Sequence, residues 1–185
     1  MRVFAILMLG ALVLCRYEVG PEDLQPFTKT TATKTTATSG EQEVYIQRYA
    51  GLAIDQMHKY GVPASITLAQ ALIESQAGSS PLVQATNNHF GIKCFLRDCA
   101  PGHCVNHTDD THKDFFRTYK SAWASYEDHS RFVTTGRYAS LTYLGNDYKK
   151  WARGLKRWGY ATAPNYATVL INTIEQNHLN DYDNY

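Results

Sequence analysis

Glu74 is the residue whose setting most invites a chemical reading. At about 100° per residue, Ile66, Leu68, Ala69, Leu72 and Ile73 make an apolar arc, with Glu74 just past its edge. A carboxyl group there has packed hydrocarbon on one side and an open cleft on the other. Desolvation raises the pKa of a carboxylic acid, and an acid still protonated near neutral pH can act as a general acid toward a departing group. Spacing alone does not demand this, because a glutamate beside an apolar helix face is usually a solvated edge. A second cluster lies downstream, where Cys94, Cys99 and Cys104 fall beside His89, His103, His107 and His112. Cys and His are zinc ligands, but this spacing matches no common zinc pattern. The expectation is a disulfide clipping the segment, with no metal and no other cofactor. Three cysteines leave one over, so the pairing stays open. His129 reads as a satisfied core histidine.

The elements that would position these groups are mostly helical. Val44, Ile46, Tyr49, Leu52, Ala53, Ile54 and Met57 include i, i+3 and i+4 spacings, and Gly61 breaks the run. Pro63 suits the first turn of a second helix, which the pattern carries toward a stop at Gly78. Between about Gly91 and Tyr119 the helical period fades into glycines, a proline, cysteines and polar residues, as in loops with a small irregular β-element. Helical patterns return over Ala122–Val133, over Tyr148–Arg157 and after Pro164 to about Asn177.

Two segments precede this region. Residues 3–15 are an uncharged apolar run after Met1 and Arg2, short for a membrane span and suited to a secretory signal. Cys15 ends the run and raises lipid anchoring, although Leu14 is larger than the residue that normally precedes a lipidated cysteine. Residues 16–40 read as a Thr-rich linker with two KTTAT copies, at 29–33 and 34–38. Such a tract has little to bury and cannot offset its own ordering entropy. The folded domain is therefore expected over 41–185, exported to the periplasm or cell envelope. A net charge of +1 with no Lys/Arg block longer than two residues argues against a nucleic-acid partner.

The segment TLAQALIESQAGSSPLVQATNNHFGIK (67–93) resembles the signature of the bacterial glucosaminidases of glycoside hydrolase family 73: Ala-Gln-Ala before Glu-Ser, then Asn-Asn-x-Phe-Gly-Ile-Lys. FFRTYKSAWASYEDHSRFV (115–133) and WARGLKRWGYATAPNYATVL (151–170) are further echoes, so the resemblance spans nearly all of 44–178. It implies a lysozyme-like α+β domain, mostly α, with the β-lobe inserted after the second helix. It further implies that Glu74 protonates the leaving oxygen and that Tyr160 assists on the cleft. The expected second carboxylate on the lobe is Asp109 or Asp110, and Asn87, Asn88 and Phe90 are expected to build the cleft floor. The family usually has Asp where Ala163 stands. A close carboxyl pair would suit a covalent mechanism and a wider gap an attacking water. With no second carboxylate near, the substrate's own 2-acetamido group could attack.

The implied activity is endo-β-N-acetylglucosaminidase cleavage of the β-1,4 bond between N-acetylglucosamine and N-acetylmuramic acid, as in an autolysin. Peptidoglycan glycan strands are the expected partner. A lytic transglycosylase is the enzymatic alternative, since it too places Glu-Ser on a helix of a lysozyme-like fold. A non-catalytic glycan-binding or assembly protein is the other, and retention of Glu74 and Tyr160 argues against it.

Overall fold

The computed structural model describes residues 37–94, 102–106 and 115–185. The expected export signal, Cys15, most of the linker, Cys99, His107, Asp109, Asp110 and His112 lie outside the described residues. Among those described, the elements run α1 (Ser39–Tyr60), α2 (Ala64–Glu74), α3 (Pro81–Thr86), β1 (Cys104–Asn106), β2 (Phe115–Arg117), α4 (Ala122–Val133), α5 (Tyr148–Arg157) and α6 (Tyr166–Gln176). Two 3₁₀ segments, Gly136–Leu144 and Leu179–Asn184, complete them.

Helix α1 begins directly after the second KTTAT copy, whose last residue, Thr38, is its N-cap. The Thr38 hydroxyl accepts from the Glu41 N–H at 3.3 Å, and the Glu41 carboxylate accepts from the Thr38 N–H at 2.7 Å. This reciprocal capping box starts the helix two residues before Glu41. At the other end Gly61 takes φ 73° and donates its N–H to Met57, a left-handed cap that glycine adopts without strain.

Helix α2 departs from its expected form in two ways. Every residue over 64–72 is buried, including Ser65, Thr67 and Gln70, so it is a central helix and not an amphipathic one. Helices α1, α5, α6 and the last 3₁₀ segment surround it, and a helix apolar on nearly all sides needs such company. It also ends at Glu74, not Gly78. Gln76, Ala77 and Gly78 follow with φ of 53°, 54° and 80°, a tight left-handed turn closed by Ala77 N–H to Leu72 O at 2.9 Å. Pro63 supplies no side-chain cap to α2. The C-terminal segment does so instead: Asp183 accepts from Ser65 N–H at 2.8 Å and from the Ser65 hydroxyl at 2.6 Å.

Ser80 then caps α3, with Pro81 in its first turn. This six-residue helix escaped the sequence reading, so the β-lobe follows the third helix, not the second. The lobe pairs Cys104 with Arg117, Val105 with Phe116 and Asn106 with Phe115 in an antiparallel register, and Lys93 bridges to Phe116. A Cys94–Cys104 disulfide closes it, fixing the pairing that sequence left open. Arg117 and Tyr119 both donate to Asp128 at 2.6 Å, fastening the lobe to α4.

Helices α4 and α5 occupy the expected spans, and α6 runs Tyr166–Gln176. Trp151, Ala152 and Leu155 are the buried face of α5, and its Gly154 lies so close to Leu141 that a Cβ there would collide. Among the described residues no helix is long and apolar enough to cross a membrane.

Candidate active site

Glu74 is the last residue of α2 and is exposed, while Ser75 immediately after it is fully buried. The end of the helix, not the edge of an arc, is what brings this carboxyl group to the surface. Consecutive non-glycine residues at positive φ, Gln76 and Ala77, follow it. Such backbone is uncommon and costs energy, and it concentrates at functional sites.

The wall beside Glu74 is aromatic. Tyr160 follows α5 through Gly159 at φ 76°, with its N–H on Leu155 O at 2.9 Å. Its partly buried ring stacks on Tyr166 at 5.7 Å between centroids and meets His129, Phe132 and Tyr138 at 6.3 Å each. Burial first, and then the neighbouring Tyr166, Glu74 and Tyr138, push the Tyr160 hydroxyl well above its ordinary pKa. For Tyr166, burial and then Glu74 act in the same direction. Both phenols are therefore neutral O–H groups within reach of the Glu74 charge.

The Asn-Asn-x-Phe segment divides by burial. Asn87 is the left-handed C-cap of α3, at φ 54°; it is exposed, and its Nδ2 donates to Tyr119 O at 3.1 Å. Asn88 is 1% exposed. Its Nδ2 donates to Ile92 O and Arg117 O, and its Oδ1 accepts from Ile92 N–H, all at 3.0 Å. That amide binds the loop to β2. Phe90 is buried and stacks on His129 at 3.9 Å with the planes 12° apart. The structure thus brings Glu74 and Tyr160 together, leaves Asn87 accessible, and gives Asn88 and Phe90 supporting positions. Asp109 and Asp110 lie outside the described residues.

Sequence reasoning passed over three residues. Gln70 and Tyr166 meet at 2.8 Å beneath Glu74; the signal was the four-residue interval from Gln70 to Glu74, one helical turn. Lys156 donates to Ala161 O at 3.2 Å and to Thr162 O at 2.9 Å, holding the loop that contains Ala163.

Two hollows flank the region. The larger, about 560 Å³, lies between α1 and α3 and is lined by Glu41, Arg48, Tyr49, Gln84, Asn87 and His89 among others, without Glu74 or Tyr160. The smaller, about 220 Å³, runs from Ile92 and Arg117 to Asp128 and Phe132. Phe132 joins it to the Tyr160 ring, so the smaller hollow adjoins the candidate acid site. In the lobe, Cys94, His103 and Cys104 stand close enough to share an ion. Their two sulfurs are joined in a disulfide, which leaves no thiolate to bind a metal.

Residues 50–179 match the family model Glucosaminidase, described as mannosyl-glycoprotein endo-beta-N-acetylglucosaminidase. The exo-glucosaminidase LytG of Bacillus subtilis is 35% identical over 164 residues, which is 81% of this chain and 56% of LytG. The peptidoglycan hydrolase FlgJ of Salmonella typhimurium is 30% identical over 149 residues, or 75% of this chain and 47% of FlgJ. The chain spans about half the length of the curated relatives it matches. Among solved structures, the catalytic domain of the Listeria monocytogenes autolysin Auto matches with TM-score 0.64 at 26% identity, covering 80% of this chain and 91% of that domain. The glycoside hydrolase domain of Salmonella typhimurium FlgJ matches with TM-score 0.58 at 30% identity, covering 73% and 87%.

Proposed function

Because this chain belongs to the glucosaminidase family, we propose that its lysozyme-like domain hydrolyses peptidoglycan at the β-1,4 bond between N-acetylglucosamine and N-acetylmuramic acid. Glu74 is the general acid in this reading. The observation that carries it is the meeting of the exposed Glu74, at the end of a buried helix, with the neutral hydroxyls of Tyr160 and Tyr166. The C-terminal turn of a helix carries partial negative charge, which disfavours a carboxylate and favours the protonated acid. Tyr160 steadies charge near the scissile bond, and Asn87 is a sugar contact. Asn88 and Phe90 act from below by holding the loop. Asp109 or Asp110 supplies a second carboxylate from the lobe, at a distance or by movement, unless the substrate's acetamido group takes that part.

Relatives that act on peptidoglycan, such as FlgJ, support the substrate and a site of action beyond the cytoplasm. Export through 1–15, with Cys15 as a lipid anchor, belongs to the same proposal. Endo cleavage rests on the family description, whereas the name of the Bacillus relative specifies exo action. Analysis of products from purified peptidoglycan tests all of this. Internal fragments ending in reducing N-acetylglucosamine support endo hydrolysis, and release of terminal units alone supports the exo mode. Anhydro-muramyl ends would replace the proposal with a lytic transglycosylase, and absence of cleavage with a binding protein.

A further inference from the structure

The larger hollow, between α1 and α3, has no part in the chemistry assigned to Glu74. At about 560 Å³ it falls within the roughly 300–1,000 Å³ of small-ligand sites. His89, only 2% exposed, lines it. Its Nδ1 lies 2.7 Å from the Tyr45 hydroxyl, which lies 3.3 Å from the Tyr126 hydroxyl. Tyr126 is fully buried, and among the described residues its hydroxyl has no other partner. A buried O–H is rarely left unused, so Tyr126 donates to Tyr45, and Tyr45 donates to His89 Nδ1. Burial pushes the His89 pKa down to about 4, so the ring is neutral and its one proton sits on Nε2. That N–H has no partner among the described residues, yet unlike Nδ1 of His129 it is not sealed from solvent. It is a donor left open to the hollow.

Arg48 adds a charge at the mouth. It is exposed and lines the hollow, and among the described residues its guanidinium is in no ion pair or hydrogen bond. The Tyr49 ring, next to it in the chain, meets His89 edge-on at 4.8 Å. Glu41 stands seven residues earlier on α1, about 10 Å along the helix, and its carboxylate is occupied by the Thr38 N–H and hydroxyl at 2.7 and 3.0 Å. An anion is therefore drawn to the end with Arg48 and His89 and repelled from the end with Glu41. A sugar ring would find no free aromatic face here, because Tyr49 is stacked on Tyr126 at 5.8 Å. The hollow also reaches toward the acid. Ala77 is in its wall and follows Glu74 by three residues, so their Cα atoms are at most about 11 Å apart. The exposed Asn87 lines it as well.

Resting on the reading of peptidoglycan as the substrate, we propose that this hollow is a subsite for the peptide stem carried by N-acetylmuramic acid, with Arg48 and His89 binding a stem carboxylate. The chemistry of the polymer selects this occupant. Both sugars of the repeat are uncharged once the lactyl carboxyl group is in amide linkage to the stem, so the anionic groups of the strand are the carboxylates of its peptides. Arg48 attracts such a group at the mouth, and the His89 N–H fixes one of its oxygens deeper in. Asn87, a proposed sugar contact, stands where the paths of glycan and peptide meet. Contacts this far from the scissile bond act on ground state and transition state alike, so they tighten binding and lower KM.

Two measurements on the full chain test this. The first is calorimetric binding of a soluble N-acetylmuramyl peptide, compared with the same compound after every carboxyl group has been amidated. The free acid is expected to bind about tenfold more tightly, the low end for a charge-assisted hydrogen bond because Arg48 is exposed. Arg48→Gln should abolish that difference, and Arg48→Lys, which keeps the charge, should retain part of it. An exposed helix position tolerates both changes, and matching circular dichroism confirms the fold. Equal affinity for acid and amide, or no binding of either, overturns the proposal. The second measurement compares kcat/KM on glycan strands with stems intact and on strands stripped of them. The parent protein should favour intact strands by about tenfold, chiefly through KM, and Arg48→Gln should narrow that ratio. Cleavage of both substrates without preference overturns the subsite and leaves the proposed hydrolysis standing. Cleavage of neither, with acid-selective binding preserved, removes the hydrolase and upholds the subsite.

Discussion

Gln70 donates its amide hydrogen to the Tyr166 hydroxyl at 2.8 Å, and by that bond helix α6 is registered against the helix that ends in Glu74. Tyr160 stacks on the same tyrosine, so the position of α2 sets the separation of the groups proposed to act on the glycosidic bond. α2 is itself anchored far away in sequence, where Asp183 accepts from the Ser65 N–H and hydroxyl.

Asp183→Ala should therefore destabilise the domain by about 1–3 kcal/mol, the range for losing an N-cap whose donors are buried. Asp183→Asn, which retains an acceptor, should lose less. Urea unfolding at neutral pH measures both. An unchanged midpoint for Asp183→Ala would show that α2 needs no cap from the C-terminal segment.

Stability should also fall in mild acid. Burial pushes His89 to about 4 and His129 to about 3, against about 6.5 for an unperturbed histidine. Below about pH 6.5 the unfolded chain binds protons that the folded one refuses, so stability drops as pH falls toward these values. The slope is at most about 1.4 kcal/mol per pH unit for each residue. Asp183 acts in the opposite sense, because burial raises its pKa. Melting temperatures between about pH 7 and pH 5 isolate the histidines. A flat profile there would mean that these rings are not buried neutral, and His89→Gln should reduce the slope.

Much of this architecture is legible in the sequence. The spans of α4 and α5 follow from their periodicity, and Gly61 ends α1 as its conformational freedom suggests. What periodicity could not show is that α2 is enclosed on every side, because Ser65, Thr67 and Gln70 look like a polar face until their buried partners are known. Its early end was hidden for a related reason: Gln76 and Ala77 adopt left-handed backbone that their residue types do not advertise. Helix α3 and the 3₁₀ segments are too short to establish a period. At the site, Glu74 and Tyr160 were marked by family resemblance. The contacts of Gln70 with His129 and Tyr166 join three helices; the one-turn interval from Gln70 to Glu74 is local, but its two partners are not, which is why His129 reads simply as a core residue.

The Cys94–Cys104 bridge should leave these two thiols unreactive in protein purified without reductant. Breaking such a bridge commonly removes about 2–4 kcal/mol, so Cys104→Ser should lower the melting temperature. Thiol titration in denaturant, with and without prior reduction, measures the bridge directly. Equal counts in both samples, or one tightly held zinc per chain, would contradict it.

The central claim is that Glu74 donates the proton, and Glu74→Gln tests it most directly. Glutamine preserves size and hydrogen bonding at an exposed helix end, so circular dichroism and melting should match the parent protein. It cannot deliver a proton to a departing sugar oxygen, a contribution of about 10²–10⁴ in rate. Release of reducing ends from purified peptidoglycan is expected to fall by at least that order, and Asp109→Asn or Asp110→Asn should lose less. A folded Glu74→Gln protein that releases reducing ends at close to the parent rate would contradict the account.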